Sequence, residues 1–178
     1  MIAEGFRPDF PKAVLTEAAS AKAQPASAKL PARDLRQLLW SSIDNTESRD
    51  LDQIEWAEKL SDGRIRVRVG IADVDATVAS GSATDQHAAF NTTSVYPGGP
   101  VFPMLPETFS TDLTSLNANG DRASVIIEYV VDAQGGMGET DIYLALVRNQ
   151  AKLSYDRIGQ WLEGKAPSPG SNGTPAGL

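Results

Sequence analysis

The chain has 178 residues, 41% of them hydrophobic, enough for one globular domain with its own core, and it has no cysteine. The missing thiols exclude disulfide scaffolds, zinc-thiolate sites and cysteine nucleophiles, and leave no disulfide partner. The net charge of −7 argues against nucleic-acid binding in general, but residues 44–58, with six acids and one base, supply five of those charges, so the acidity is local.

No stretch reaches the length of a membrane span, and the first residues lack the apolar core of a signal peptide. A soluble cytoplasmic protein without membrane contact is therefore expected. Residues 1–30 read as an N-terminal extension. Pro8 and Pro11 favour extended or turn structure, and Lys12 to Lys22 is Ala-rich with Val14, Leu15, Ala18 and Ala19 at helical spacing, which predicts a short helix. Ala23 to Lys29 has the composition of a linker.

A β-prone run from Leu38 to Ile43 then leads into Asp44, Glu47, Asp50 and Asp52, four acids within nine residues where a strand gives way to a loop. Like charges at this density either fan into water or gather a cation. Hard divalent ions prefer carboxylate oxygens, and Mg²⁺ is often held by one or two carboxylates with water and substrate phosphate. A calcium-loop reading competes: oxygen-bearing side chains fall at alternate positions from Asp44 to Asp52, with Glu55 at the twelfth. Against it, Arg49 occupies the sixth position, where such loops need Gly, and the flanks look like strands rather than helices.

Ile54 to Leu60 and Arg64 to Ile71 predict a hairpin around Ser61-Asp62-Gly63. The second strand alternates strictly, with Ile65, Val67, Val69 and Ile71 opposite Arg64, Arg66 and Arg68. That arginine row reads as the solvated side of a half-buried strand, with phosphate contact as the alternative. Ser82 with Asp85 predicts a capped helix running to about Asn91, with His87 on its surface. Pro97 holds Tyr96 extended, so its ring could pack or offer a face to a base. A short helix from Pro106 to about Leu113 follows, then a second hairpin, Ala123 to Val131 and Thr140 to Val147. Ser154 opens an amphipathic helix to Glu163. Lys165 to Leu178, rich in small residues, Pro and Gly, lacks the means to build a core and reads as a disordered tail or a truncated interior loop. Two antiparallel hairpins with flanking short helices make an α+β fold.

Six pieces in this order resemble the RNB catalytic domain of the ribonuclease II and ribonuclease R family. They are Ile43-Asp44 with Arg49-Asp50-Leu51-Asp52, Gly70-Ile71-Ala72-Asp73-Val74, Thr93-Ser94-Val95-Tyr96, Phe102-Pro103-Met104-Leu105-Pro106, Leu113-Thr114-Ser115-Leu116-Asn117, and Ala151-Lys152-Leu153-Ser154-Tyr155-Asp156. The likeness covers residues 35–163 and, weakly, 6–18; the domain itself is assigned to residues 31–164. The resemblance implies an RNB-like α+β domain and a Mg²⁺-dependent, hydrolytic 3′-to-5′ exoribonuclease that acts on single-stranded RNA and releases nucleoside 5′-monophosphates. It also implies that Asp44, Asp50 and Asp52 are catalytic metal ligands and that Tyr96 stacks on the 3′-terminal base.

Two departures from the family pattern stand out. The family's fourth aspartate falls on Gln53, which offers Mg²⁺ a neutral carbonyl in place of a charge. Either three carboxylates suffice, or the chain is a catalytically weak or silent RNA-binding relative. The family's domain also continues beyond the end of this chain with an arginine for the scissile phosphate and an aromatic clamp, so the remaining half of the catalytic domain is expected to be missing.

Overall fold

The computed structural model describes residues 5–22 and 33–169, so the linker expected at 23–29 and most of the expected tail lie outside the described residues. Among the described residues no helix is long and apolar enough to cross a membrane. In chain order the elements are α1 (Lys12–Ser20), β1 (Arg33–Asp34), β2 (Trp40–Asp44), β3 (Gln53–Lys59), β4 (Ile65–Ala72), α2 (Ala83–Asn91), β5 (Asp121–Val131), β6 (Met137–Ser154) and α3 (Tyr155–Leu162). A π-type turn spans Thr108–Leu113, where the sequence predicts a short helix.

The six strands form one sheet in the order β1-β6-β2-β3-β4-β5, and β5 pairs again with β6, so the pairing returns on itself. Both predicted hairpins are present and antiparallel, and Gly63 makes the tight turn of the first at φ 86°. The parallel pairing of β2 with β6 has no counterpart in the sequence reading. It aligns Ser42 with Lys152 and Asp44 with Ser154, and so brings two segments about 110 residues apart in the chain to one end of the sheet.

Trp40, Leu51, Ile54, Leu116, Ile126, Ala145 and Val147 form the main core. Gly70 lies between Ile54 and Ile126 on neighbouring strands, and a Cβ there would stand 3.1 Å from Ile54 Cγ1, so the close strand packing depends on glycine. A second cluster of Ala18, Val78, Leu105 and Phe109 joins α1 to the π-type turn and the segment just before it.

The register corrects the expected faces of β4. Arg66 and Arg68 share a face with Gly70, beside Trp56, Ile126 and Glu128, so the arginine row borders the core rather than facing open water. Arg66 pairs with Glu58 at 2.6 Å and Arg68 with Glu128 at 2.7 Å, while Tyr143 donates to the same Glu128 at 2.6 Å. Burial opposes the Glu128 charge, yet the hydrogen bonds from Arg68 and Tyr143 hold its carboxyl below the usual range. These guanidiniums already have carboxylates and are not a phosphate track. The opposite face, with Val67, Ile43 and Glu55, meets Ile158 and Trp161 of α3 across a cavity of about 420 Å³.

His87 is the second correction: it is buried, with 4% exposure, and its ring lies 5.0 Å from that of Phe10. The cause is a clamp distant in sequence. Asn91 accepts from the backbone N–H of Arg7 at 3.0 Å and donates to its carbonyl at 2.8 Å, which fixes the amide and turns its remaining N–H toward His87 Nε2, 3.1 Å away. Nε2 therefore accepts, and the ring is neutral. Burial, then the charge of Arg7, depress the His87 pKa. The unfolded chain thus takes up this proton more readily than the folded one as pH falls, so the stability contribution is full above about pH 6.5 and is lost below it. The melting temperature of the parent is expected to fall more between pH 7.5 and 5.5 than that of His87→Gln; equal falls would contradict this.

Candidate functional site: an acid cavity at the end of the sheet

The acid loop is shaped by one apolar residue. Leu51 is 1% exposed in the main core, and burial of a leucine stabilises by roughly 1.5–3 kcal/mol, so its neighbours Asp50 and Asp52 are turned away from the core. The backbone there is fixed from the Leu113 to Asn117 segment. Buried Ser115 accepts from Leu51 N at 3.0 Å and donates to the Arg49 carbonyl at 2.7 Å, and Leu116 N donates to the Leu51 carbonyl at 2.9 Å. Asp44 ends β2, and its Oδ1 accepts from Asn45 N at 2.7 Å and Ser48 Oγ at 2.9 Å. Gln53 opens β3.

Asp44, Asp50, Asp52 and Gln53 line a single cavity of about 160 Å³. Both flanks of the loop are strands, and Glu55 lies inside β3, so a helix-loop-helix calcium site is ruled out. Asp52 keeps an open side to solvent, but burial of the rest of its carboxyl raises its pKa, and the charges of Asp50 and Asp44 raise it further. No hydrogen-bond donor among the described residues compensates it. Glu55, on the same face of β3 as Gln53, is also raised by burial, partly offset by a hydrogen bond from the Gln53 side chain.

The donor chemistry suits a hard cation: Asp44, Asp50 and Asp52 offer carboxylate oxygens to one cavity, and Asp52 meets the charges of the other two with no donor of its own. Among the described residues, however, no three acids or histidines stand close enough to enclose a metal ion.

Asp50 also lines a second cavity, of about 440 Å³, together with Tyr96, Arg49 and Glu107. Tyr96 lies on a segment closed by the Val95–Phe102 bridge; the residue is 63% exposed and its hydroxyl donates to Asp50 Oδ2 at 3.0 Å. The ring is therefore not packing in the core. Burial of the hydroxyl end, then the hydrogen bond to Asp50, raise the phenol's pKa, so it stays protonated and donating. Tyr155, at the start of α3, lines the acid cavity too and was missed as a site residue in the sequence, where Ser154-Tyr155 read only as a helix opening. Its position next to the last β2–β6 pair, Asp44 with Ser154, is what brings it there.

The chain is 38% identical over 136 residues to exoribonuclease 2 of Salmonella arizonae, covering 75% of this chain and 21% of the relative. It superposes on Mycoplasma genitalium RNase R, solved in complex with ribose-methylated single-stranded RNA, with a TM-score of 0.87 and 30% identity over 95% of this chain and 26% of that one. Yeast Ssd1, described as a pseudonuclease, shares the fold at a TM-score of 0.71 and 17% identity over 84% of this chain and 19% of that one. The chain thus spans about a fifth of the length of the curated relatives it matches. The RNB domain model matches residues 32–172, and the chain belongs to that family.

Proposed function

We propose that this domain serves hydrolytic, Mg²⁺-dependent removal of nucleotides from the 3′ end of single-stranded RNA, with release of nucleoside 5′-monophosphates. The observation that carries this reading is that Asp50 belongs at once to the acid cavity and to the larger cavity holding the exposed Tyr96. A terminal nucleotide stacked on that ring would have its phosphate at the acids.

Asp44, Asp50 and Asp52 would hold the cation, with the Gln53 carbonyl as a neutral fourth donor. When bound, Mg²⁺ supplies Lewis-acid polarisation of the phosphoryl oxygens and lowers the pKa of an attacking water. Tyr96 orients the terminal nucleotide through its ring without reading sequence, because every base has a π face. Its hydroxyl, hydrogen-bonded to Asp50, sets the distance between base platform and acids. Water attacks phosphorus in line, the P–O3′ bond to the preceding nucleotide breaks, and the released nucleotide keeps the phosphate on its 5′ oxygen. The shortened RNA leaves with a free 3′ hydroxyl.

Gln53 motivates a second reading, an RNA-binding relative with weak or no turnover. A 5′-labelled single-stranded RNA, incubated with the longest polypeptide carrying residues 1–178, distinguishes the two. Stepwise shortening from the 3′ end with Mg²⁺, abolished by EDTA, and nucleoside 5′-monophosphate as product are expected. Binding without shortening would favour the second reading, and nucleoside 3′-monophosphates would contradict the chemistry.

A further inference from the structure

Between Asp44 and Asp50 the chain has to make a tight excursion and still present both carboxylates to one cavity. Its far end is anchored in the core by Ser115, which is 1% exposed. Its middle is anchored by a different kind of group. The ammonium of Lys152, on β6, donates to the carbonyl of Thr46 at 2.9 Å and also to the carbonyl of Ser48. The β2–β6 register places this lysine beside Ser42, two residues before the strands end at Asp44 and Ser154. Turning two alternate carbonyls toward one cation bends the loop around it, and Ser48 closes the bend by donating to the Asn45 carbonyl at 3.2 Å and, through Oγ, to Asp44 at 2.9 Å.

The choice of partner matters. Lys152 is exposed, and among the described residues it forms no ion pair with a carboxylate. Its positive charge therefore offsets the acid loop without occupying any oxygen that a cation in the cavity would need. A lysine that bonded Asp44 or Asp50 directly would compete with the metal.

We propose that Lys152 is a positioning residue for the metal centre: it clamps the Thr46 and Ser48 carbonyls and so fixes the separation at which Asp44 and Asp50 present their carboxylates. This rests on the reading of the acid cavity as a Mg²⁺ site. Lys152→Met keeps the hydrocarbon stem and removes the charge and the donors; Lys152→Arg keeps a charge and donors.

Mn²⁺ binding, followed by electron paramagnetic resonance on the full 178-residue chain, tests the clamp without any need for turnover. Lys152→Met is expected to weaken Mn²⁺ binding by about 10-fold or more, in the range found when groups that orient metal ligands are removed. Its melting temperature should stay within about 4 °C of the parent, the shift expected from a small stability change at this chain length. Lys152→Arg should recover most of the affinity. Ser115→Ala, which removes the buried anchor, should instead lower the melting temperature by more than either lysine variant. Equal Mn²⁺ affinity in the parent and Lys152→Met would overturn the clamp while leaving the metal centre standing. Matching losses of affinity and of thermal stability in both lysine variants would also overturn it, as the sign of a merely structural role. A parent that binds no Mn²⁺ would overturn the metal centre, and the clamp with it.

Discussion

Asp52→Asn is expected to lower Mg²⁺-dependent release of the 3′-terminal nucleotide by about 10²–10³-fold, the usual cost of removing one preorganised group that stabilises charge in a transition state. RNA affinity should change by less than about 3-fold, because Tyr96, in the neighbouring cavity, remains to stack the base. Asp52 is chosen over its neighbours because its carboxyl is the least compensated of the three. Asp44 has Asn45 and Ser48 as donors and Asp50 has Tyr96, whereas Asp52 experiences burial and the charges of Asp50 and Asp44. A cation would relieve that repulsion, and the isosteric amide removes the charge without changing the shape of the cavity. Substrate binding followed by fluorescence anisotropy and turnover measured on the same preparations separate the two effects; unchanged turnover in Asp52→Asn would contradict the role given to it.

Gln53→Asp should strengthen the metal centre. The new carboxylate adds a fourth charge beside Asp44, Asp50 and Asp52, and a cation in the cavity relieves the added repulsion. An increase of about 10-fold in apparent Mg²⁺ affinity, about 1.4 kcal/mol, is expected, with a smaller rise in maximal turnover. The size of the gain in turnover separates the two functional readings. A parent that already turns over and improves modestly works with three carboxylates. A parent without turnover that gains it outright on this single change would be a silent relative, kept inactive by its glutamine.

Much of the local structure was legible in the sequence because its causes are local. Ser82 caps α2 by accepting from Asp85 N, as the spacing of serine and acid implies. The alternation of β4 and the Asp62-Gly63 turn define a hairpin without reference to anything else. The acid cluster was equally visible, as four acids within nine residues where a β-prone run gives way to a loop.

What was not legible depends on partners far along the chain. Alternation in β4 gives a period of two but not the face that meets the core, and that face is chosen by Ile54 and Ile126 on either side of Gly70. The full length of β6 was hidden by polar Arg148-Asn149-Gln150. Asn149 is nonetheless 1% exposed, because it donates to Ser42 Oγ at 3.0 Å and to the Leu116 carbonyl at 2.9 Å, and accepts from Ala151 N at 3.1 Å. His87 is buried for the same reason, through a clamp on the backbone of Arg7. The roles of Lys152 and Tyr155 at the acid loop arise from the parallel β2–β6 pairing, which leaves no local pattern to read.

The most direct test is a crystal structure of the chain with Mn²⁺ and a short single-stranded RNA, with the metal located by its anomalous scattering. The expected result is a metal peak in the cavity shared by Asp44, Asp50 and Asp52, about 2 Å from at least one of their carboxylate oxygens, with the 3′-terminal base on the Tyr96 ring. Three aspartates each hydrated separately, with no ion shared among them and the RNA end elsewhere, would contradict it.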